Sequence, residues 1–256
     1  MNALKLDDIE LAAFRRDGFL VRRNFAGAAQ CNDLRLVAED HLRQKLAPIE
    51  YEVDVQYPGS PVNRTADGAD TSRRLLQAYS RHEVFRRWAT SVEIGSTLRN
   101  LFDAKTVKLS QCHHNCIMTK RPGYSSETFW HQDNRYWSFD QENLISVWLA
   151  LGNETADNGC LRVISGTHVE KIEAGRFDAA LFLRPDLEEN QALIAQSRTL
   201  ILNRGDVLFF HSRLFHAAGR NQTDRTKFSL VFTYHKESNH PIQNTRSARY
   251  PSIEVH

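Results

Sequence analysis

Cysteine is scarce in this sequence: the 256 residues include only four, Cys31, Cys112, Cys116 and Cys160. Disulfide-stabilised domains carry a far higher density of cysteine, so a disulfide framework is excluded as the basis of the fold. The first eight residues also lack the basic segment followed by an apolar segment that marks a secretion signal. We therefore expect a reducing, cytoplasmic environment.

Long apolar runs and an excess of one charge are also missing. No uninterrupted apolar run approaches the roughly 18 residues that a membrane-spanning helix needs. The chain has 33 basic and 31 acidic residues, a formal net charge of +2, and its basic clusters, such as Arg15-Arg16, are short. Such clusters are typical of solvated helix faces, so we expect no nucleic-acid partner and no membrane partner. These patterns do not indicate an oligomeric state.

The chain has no internal repeat, and its patterns predict a single domain over residues 1–256 with two parts. Residues 1–103 are predicted to be mainly helical, apart from a short strand at Phe19-Leu20-Val21. Residues 51–72 carry Pro58, Gly59, Pro61 and Gly68 and are predicted to form a long loop of the kind that often covers an active site.

Residues 104–240 alternate between apolar segments and turn signals such as Asn158-Gly159 and Gly205-Asp206. We predict a mainly β protein with flanking α-helices, whose core is a double-stranded β-helix, the cupin-like jelly roll. The predicted strands are Thr106–Ser110, Asn115–Thr119, Thr128–Asp133, Ile145–Leu151, Leu161–Ile164, Thr199–Leu202, Val207–Phe210 and Phe228–Tyr234.

The segment His131-Gln132-Asp133 is the clearest candidate for chemistry. Residues i and i+2 of a strand share a face, so His131 and Asp133 could present an imidazole and a carboxylate to one ion. A second imidazole from another strand would complete a two-histidine, one-carboxylate triad, the ligand set of non-haem Fe(II) oxygenases. His216 is the candidate third ligand and His211 its competitor; a pair of polar residues at a strand end is the plainer interpretation.

A second candidate, Arg225 with Lys227, follows His216. An oxoacid cosubstrate that chelates iron would leave its distal carboxylate in the pocket, where a cation must pair with it. We favour Arg225 because a guanidinium can hold a carboxylate with two hydrogen bonds, although a solvated basic strand end is the alternative.

Cys112-His113-His114-Asn115-Cys116 suggests a zinc site by composition only. Adjacent residues of a strand point to opposite faces, so these side chains cannot all converge on one ion. Near the triad, Arg135, Trp137 and Trp148 are candidate substrate contacts. The alternatives are a surface salt bridge for Arg135 and a core position for Trp148.

Four blocks together resemble the phytanoyl-CoA dioxygenase (PhyH-like) family of Fe(II)- and 2-oxoglutarate-dependent oxygenases. The blocks are Phe129–Asp133, Ser146–Leu151, Asp157–His168 and Gly205–His216, the last running on to Arg225, and Phe14–Leu20 near the N-terminus also matches. The resemblance covers nearly the whole chain in the same order.

The resemblance implies roles for individual residues. His131, Asp133 and His216 match the iron ligands. Asn221 matches an asparagine that commonly follows the distal histidine and is a further candidate for the cosubstrate site. The cosubstrate-binding arginine of the family lies nine or eleven residues beyond that histidine, where this chain has Arg225 and Lys227. Further polar contacts to 2-oxoglutarate would come from the strand before Pro122-Gly123, with the candidates Gln111, His114 and Asn115.

The predicted function is therefore oxidation, most simply hydroxylation, of an unactivated C–H bond in a small molecule. Fe(II) would be the cofactor, 2-oxoglutarate and O₂ the cosubstrates, and succinate and CO₂ the coproducts. Asp133 favours hydroxylation, because halogenating relatives have a small residue at that position. The alternatives are a non-redox jelly-roll metalloprotein, such as a zinc hydrolase or isomerase, and a binding module with a vestigial site.

Overall fold

The computed structural model of the protein describes residues 6–55 and 57–255. The prediction about a secretion signal concerns the N-terminal residues, of which 1–5 lie outside these ranges. The helices in the described ranges are α1 (Asp8–Asp17), α2 (Ala28–Arg43), α3 (Ala78–Arg81), α4 (Glu83–Ala89), α5 (Val92–Phe102) and α6 (Glu188–Ala195). The strands are β1 (Phe19–Arg22), β2 (Ile49–Tyr51), β3 (Ser72–Leu76), β4 (Val107–Lys120), β5 (Thr128–His131), β6 (Leu144–Ala150), β7 (Leu161–Val163), β8 (Arg198–Thr199), β9 (Val207–His211), β10 (His216–Ala218), β11 (Lys227–Lys236) and β12 (Ile253–Val255).

The N-terminal helix is delimited by local sequence. The Asp7 carboxylate accepts a hydrogen bond from the backbone N–H of Glu10 at 2.7 Å, and the Glu10 carboxylate accepts one from Asp7 N–H at 3.2 Å. Gly18 ends α1 with a left-handed φ of 79°, which a glycine adopts without steric cost. The chain then enters β1, which pairs with β9 at the edge of the larger sheet.

The strands form two antiparallel sheets. The larger has eight strands in the order β1-β9-β6-β11-β4-β3-β2, with β12 also paired to β4, and the smaller has the order β5-β10-β7-β8. The two sheets form the predicted jelly roll.

Strand β6 shows how the two faces of the larger sheet are used. Ile145, Val147 and Leu149 belong to the apolar cluster that includes the helices, whereas Trp148 and Ala150 belong to the cluster that includes residues of the smaller sheet. This alternation is the period of two expected of a strand. The helices therefore cover one face of the larger sheet, and the other face lines the space between the sheets, where Ser146 and Trp148 point.

Strand β4 is one strand where the sequence predicted two. Phe232 of β11 pairs with Asn115, but the next residue, Thr233, pairs with Ser110, so residues 111–114 bulge out of the ladder. The predicted gap between strands coincides with this bulge. Bulges redirect side chains, and this one carries His113 and His114.

Three strands of the larger sheet, β2, β3 and β12, are absent from the predicted set of strands. Strands β2 and β3 fall in the part predicted as helix and loop, and a 3₁₀ turn at Glu52–Asp54 occupies the start of the predicted loop. Their sequences, Ile-Glu-Tyr and Ser-Arg-Arg-Leu-Leu, are too short to show a clear alternation. Strand β12 lies beyond the predicted end of the core at residue 240. Within the described ranges, no helix is both long and apolar enough to cross a membrane.

Gly205, in the turn before β9, offers a test of the backbone packing. It has a φ of +92°, and a Cβ there would lie 2.6 Å from the carbonyl oxygen of Ala26. Gly123 has a similar φ of +75°, but its Cβ would meet nothing within 4 Å. We expect Gly205→Ala to lower the free energy of unfolding by about 3 kcal/mol and Gly123→Ala by about 1 kcal/mol. Urea denaturation of both variants measures this difference, and equal losses would contradict the packing.

Candidate metal and cosubstrate site

The candidate site is centred on the pairing of β5 with β10. His131 ends β5 and His216 begins β10, and the two residues face each other across the antiparallel pair. The predicted strand Thr128–Asp133 is too long: β5 ends at His131, and Asp133 opens a 3₁₀ turn, Asp133–Tyr136, so this turn and not strand alternation directs its carboxylate. Its Oδ1 lies 3.7 Å from His131 Nε2 and 3.5 Å from His216 Nε2, which are separations typical of ligands of one ion.

The backbone orients both imidazoles. His131 Nδ1 lies 2.7 Å from the carbonyl oxygen of Phe129, and His216 Nδ1 lies 3.0 Å from that of Leu214. A carbonyl only accepts hydrogen bonds, so each Nδ1 carries the proton and each Nε2 lone pair faces Asp133. A hydrogen bond from the second ring nitrogen to a backbone carbonyl is usual for metal-binding histidines.

The surroundings keep the triad ready for a cation. Burial, reinforced by His216, lowers the pKa of His131 to about 3, so its imidazole is neutral at physiological pH. Burial alone would raise the pKa of Asp133, but the His114 and His216 imidazoles outweigh it and hold that pKa well below its usual range. The carboxylate is therefore ionised in a buried setting, where a cation would compensate its charge.

His114 and Ser146 support the carboxylate from the larger sheet. The His114 Nδ1 lies 3.4 Å from Asp133 Oδ2, and the Ser146 hydroxyl donates to the same oxygen at 3.4 Å. Burial lowers the pKa of His114 to about 4. Both contacts leave Asp133 Oδ1, the oxygen nearer the two histidines, free of these partners. The prediction that His114 contacts 2-oxoglutarate thus acquires an alternative, support of Asp133.

In the part of the chain that the structure describes, His131, Asp133 and His216 are the group of buried residues that could hold a metal ion, with ligand atoms within 4.8 Å of one another. His211, the competitor, lies elsewhere: its Nδ1 accepts a hydrogen bond from Arg213 N–H, and its ring is 5.4 Å from that of His168. The donor set of two imidazoles and one carboxylate fits ferrous iron and leaves further coordination positions open.

Two cavities meet at the triad. The inner cavity is lined by the three triad residues and by apolar walls that include Met118, Trp148, Leu161 and Phe210. Its other charged side chains are those of Glu52, Arg73, Arg74, Lys120 and Lys227. Trp148 thus forms part of the wall of the inner cavity. Its indole N–H donates a hydrogen bond to Glu154 at 3.0 Å.

Lys227, not the preferred Arg225, reaches the inner cavity. Lys227 is 6% exposed, whereas Arg225 is exposed and precedes the start of β11. The alternation that would place both on one face holds only within a strand, and the backbone bends at Arg225. Asn221 stabilises this bend, because its side-chain amide donates to the carbonyls of Lys120 and Arg225 at 2.7 and 2.8 Å.

The outer cavity, of about 240 Å³, shares His131 and Asp133 with the inner one. Arg74 also lines both cavities, and the further walls of the outer one include Tyr57, His113, Trp137 and Arg246. Trp137 lies against the His113 ring with 4.9 Å between centroids.

Two other candidates lie away from both cavities. Arg135 donates to the carbonyl of Ala180 at 2.8 Å, and its guanidinium lies 3.9 Å from the Phe182 ring centre. Gln111 donates to the carbonyl of Pro251 at 2.7 Å.

The cysteine and histidine run of the bulge has divergent partners. Cys112 accepts a hydrogen bond from Tyr250 N–H, His113 Nε2 lies 2.8 Å from the Ser247 hydroxyl, and Cys116 contacts Met118. This divergence agrees with the argument against a zinc site there.

Sequence reasoning missed Lys120, Glu154, Arg74 and Arg246. Lys120 lies just before the Pro122-Gly123 turn, at the end of a strand already expected to contact the cosubstrate, so a signal existed for it. The other three carried no local signal, because their positions depend on strand pairing or on the C-terminal segment.

The family model of phytanoyl-CoA dioxygenase (PhyH) matches residues 14–229. This match spans well over half of the chain, and the protein therefore belongs to the PhyH family. The resemblance found from the sequence blocks is confirmed.

Curated relatives include the peroxisomal phytanoyl-CoA dioxygenases of Homo sapiens and Bos taurus. The human protein is 26% identical over 225 residues, which are 82% of this chain and 62% of that protein. The bovine protein is 25% identical over 236 residues, which are 87% and 66% of the two chains. The chain thus spans under two thirds of the length of these relatives.

Solved structures show the same fold. EctD from S. alaskensis with bound Fe has a TM-score of 0.80 at 19% identity and covers 100% of this chain and 89% of its own. The same enzyme with 2-oxoglutarate and 5-hydroxyectoine has a TM-score of 0.77 at 21% identity, with 94% and 80% covered. The non-heme alpha ketoglutarate dependent carbocyclase SnoK from nogalamycin biosynthesis has a TM-score of 0.73 at 17% identity, with 100% and 99% covered. The predicted jelly-roll fold is confirmed.

Substitution of one triad histidine tests the metal site. We expect His131→Ala to weaken Fe(II) binding by at least about 100-fold, because one of three protein ligands is lost. His211→Ala is a matched control. His211 is close to His216 in the sequence, but it contacts His168 and Arg213 and not the triad. Anaerobic equilibrium dialysis with Fe(II) measures both affinities. Equal Fe(II) binding by the two variants would overturn the assigned triad.

Proposed function

We propose that the protein is an Fe(II)- and 2-oxoglutarate-dependent dioxygenase that hydroxylates an unactivated C–H bond of a small molecule. The observation that carries this proposal is the buried facial triad of His131, Asp133 and His216 at the junction of two cavities. Membership of the PhyH family supports it. When bound together, ferrous iron, 2-oxoglutarate and O₂ supply the oxidising power, and the cosubstrate leaves as succinate and CO₂.

The protein contributes geometry and charge to this reaction. His131 and His216 hold their Nε2 atoms toward the ion through the backbone hydrogen bonds of their Nδ1 atoms, and Asp133 supplies the anionic ligand. The inner cavity takes 2-oxoglutarate, and its buried ammonium groups compensate the distal carboxylate that apolar walls would otherwise leave unpaired. We assign this role to the lysine end of the cavity instead of Arg225, because Arg225 is exposed.

The outer cavity is the place for the substrate in this proposal. Trp137 and Tyr57 provide flat apolar walls, and His131 and Asp133 place the metal beside it. Tyr57 belongs to the loop predicted as a lid, and its hydroxyl lies 3.4 Å from that of Tyr136 on the other side of the site. This contact supports a covering role for the loop, which would exclude water from the reaction.

A small molecule is thus the proposed partner, and a reducing compartment the proposed environment. The four cysteines are all free and buried, which suits the cytoplasm that the sequence predicts. The human relative is named as peroxisomal, so the compartment of this protein is tested separately, by locating a fluorescently tagged copy in its native cells.

An anaerobic titration tests the proposed function. Addition of 2-oxoglutarate to the Fe(II)-loaded protein should produce a broad visible absorption band. This is a charge-transfer band, in which light moves an electron from Fe(II) to the bound 2-oxoacid. Asp133→Ala should lose the band along with the metal. Absence of the band in the unaltered protein, together with bound zinc in the isolated protein and activity that survives strict anoxia, would favour the non-redox metalloprotein instead.

A further inference from the structure

Glu154 is a fully buried carboxylate with three donors around it, and it lies outside the metal triad. Its exposed fraction is 0%. Its Oε1 accepts hydrogen bonds from the Ser229 hydroxyl at 2.6 Å and from the Trp148 indole N–H at 3.0 Å. Its Oε2 accepts one from the Lys227 ammonium at 3.1 Å. Both oxygens are therefore occupied, and the side chain is held behind Trp148 and Lys227, which line the inner cavity.

This contact cancels the charge of Lys227. The ion pair is buried at both ends, with side-chain exposures of 3% for Lys227 and 0% for Glu154. Lys227 also approaches the Ser229 hydroxyl at 3.5 Å and lies over the Trp148 ring, 5.2 Å from its centre. An ammonium already compensated by a carboxylate adds little net attraction for a second one, although its remaining proton can still be donated.

Lys120 is the second lysine of the same cavity. It pairs with Lys227 across β4 and β11, so the two side chains leave the sheet on the same face. Its ammonium donates to the carbonyl of Ser126 at 2.8 Å and makes no ion pair with a carboxylate in the described part of the chain. Burial, reinforced by the Lys227 ammonium and the Arg73 guanidinium, lowers the pKa of Lys120 to about 7, and the carboxylates of Glu52 and Glu127 offset only part of this effect.

We propose that Lys120 carries the charge that binds the distal carboxylate of 2-oxoglutarate, and that Glu154 is a positioning residue that neutralises and orients Lys227. The inference rests on the proposed function. The two arginines of the cavity have carboxylate partners of their own, Arg73 with Glu50 and Glu52 at 2.8 and 3.9 Å and Arg74 with Glu50 at 3.3 Å. With Glu154 in place the two lysines and one glutamate then add about one positive unit, which matches one bound carboxylate. Without Glu154, the ammonium groups of Lys120 and Lys227, which lie on paired positions of neighbouring strands, would repel each other.

The first test compares two ligands that differ only at the distal end. We expect Lys120→Met to raise the dissociation constant of 2-oxoglutarate by about 10- to 100-fold. The dissociation constant of 2-oxopentanoate, in which a methyl group replaces the distal carboxylate, should be within about threefold in Lys120→Met and in the unaltered protein. This ligand has no distal charge, so its contacts do not depend on the ammonium. Lys171→Met, at an exposed position, is the matched control and should leave both constants unchanged. The anaerobic charge-transfer band reports both affinities.

The second test is a rescue. In Lys120→Met, removal of the Glu154 charge by Glu154→Gln frees Lys227 to act as the cation, so the double variant should bind 2-oxoglutarate at least about tenfold more tightly than Lys120→Met alone. Removal of the whole pair, Glu154→Gln with Lys227→Met, should change 2-oxoglutarate binding by less than about threefold, because Lys120 remains. A merely structural role of Glu154 would instead make each double variant worse than its single lysine variant.

The outcomes separate this inference from the proposed function. A missing band in the unaltered protein would overturn the proposed function itself. A normal band with unchanged 2-oxoglutarate affinity in Lys120→Met, or no rescue by Glu154→Gln, would overturn only the assigned roles of Lys120 and Glu154. Binding of 2-oxopentanoate shows that each variant is folded and holds iron.

Discussion

The site depends on one constraint, the register of the antiparallel pair β5 and β10. Because His131 faces His216 across this pair, both imidazoles lie on one face of the smaller sheet. Backbone carbonyls fix their protonated nitrogens, so the other two nitrogens converge on Asp133. A slip of one residue would turn one histidine to the opposite face, and the buried carboxylate would lose the partners that keep it ionised.

The larger sheet supplies the rest of the site through its local irregularities and its alternation. The bulge at residues 111–114 turns His114 toward Asp133, and the period of two in β6 places Ser146 and Trp148 on the face opposite the helices. The same face carries Lys120 and Lys227 on neighbouring strands. The residues proposed to support the metal and to bind the cosubstrate, and the apolar walls beside them, thus lie together because three neighbouring strands, β4, β11 and β6, present one face to the smaller sheet.

Much of this could be predicted, since strand alternation, turn pairs and short motifs are local features. The triad residues, the bounds of most core strands and the capping of α1 follow from a few residues each. The preference for Arg225 over Lys227 illustrates the limit. Chemistry favours a guanidinium, and residues 225 and 227 would share a face in a continuous strand, but β11 begins only at Lys227. Where a strand starts depends on its partners, and Asn221 ties the preceding bend to β4.

The sequence by itself determined the class of chemistry, because the two-histidine, one-carboxylate set lies in short motifs whose order along the chain matches a family pattern. Tertiary structure alone decided which cations line the inner cavity and what compensates them. Glu154 and Lys227 are 73 residues apart along the chain, and no local rule relates such distant positions. Their contact exists because strand pairing and burial bring both groups into a region without water, where a charge must find a partner.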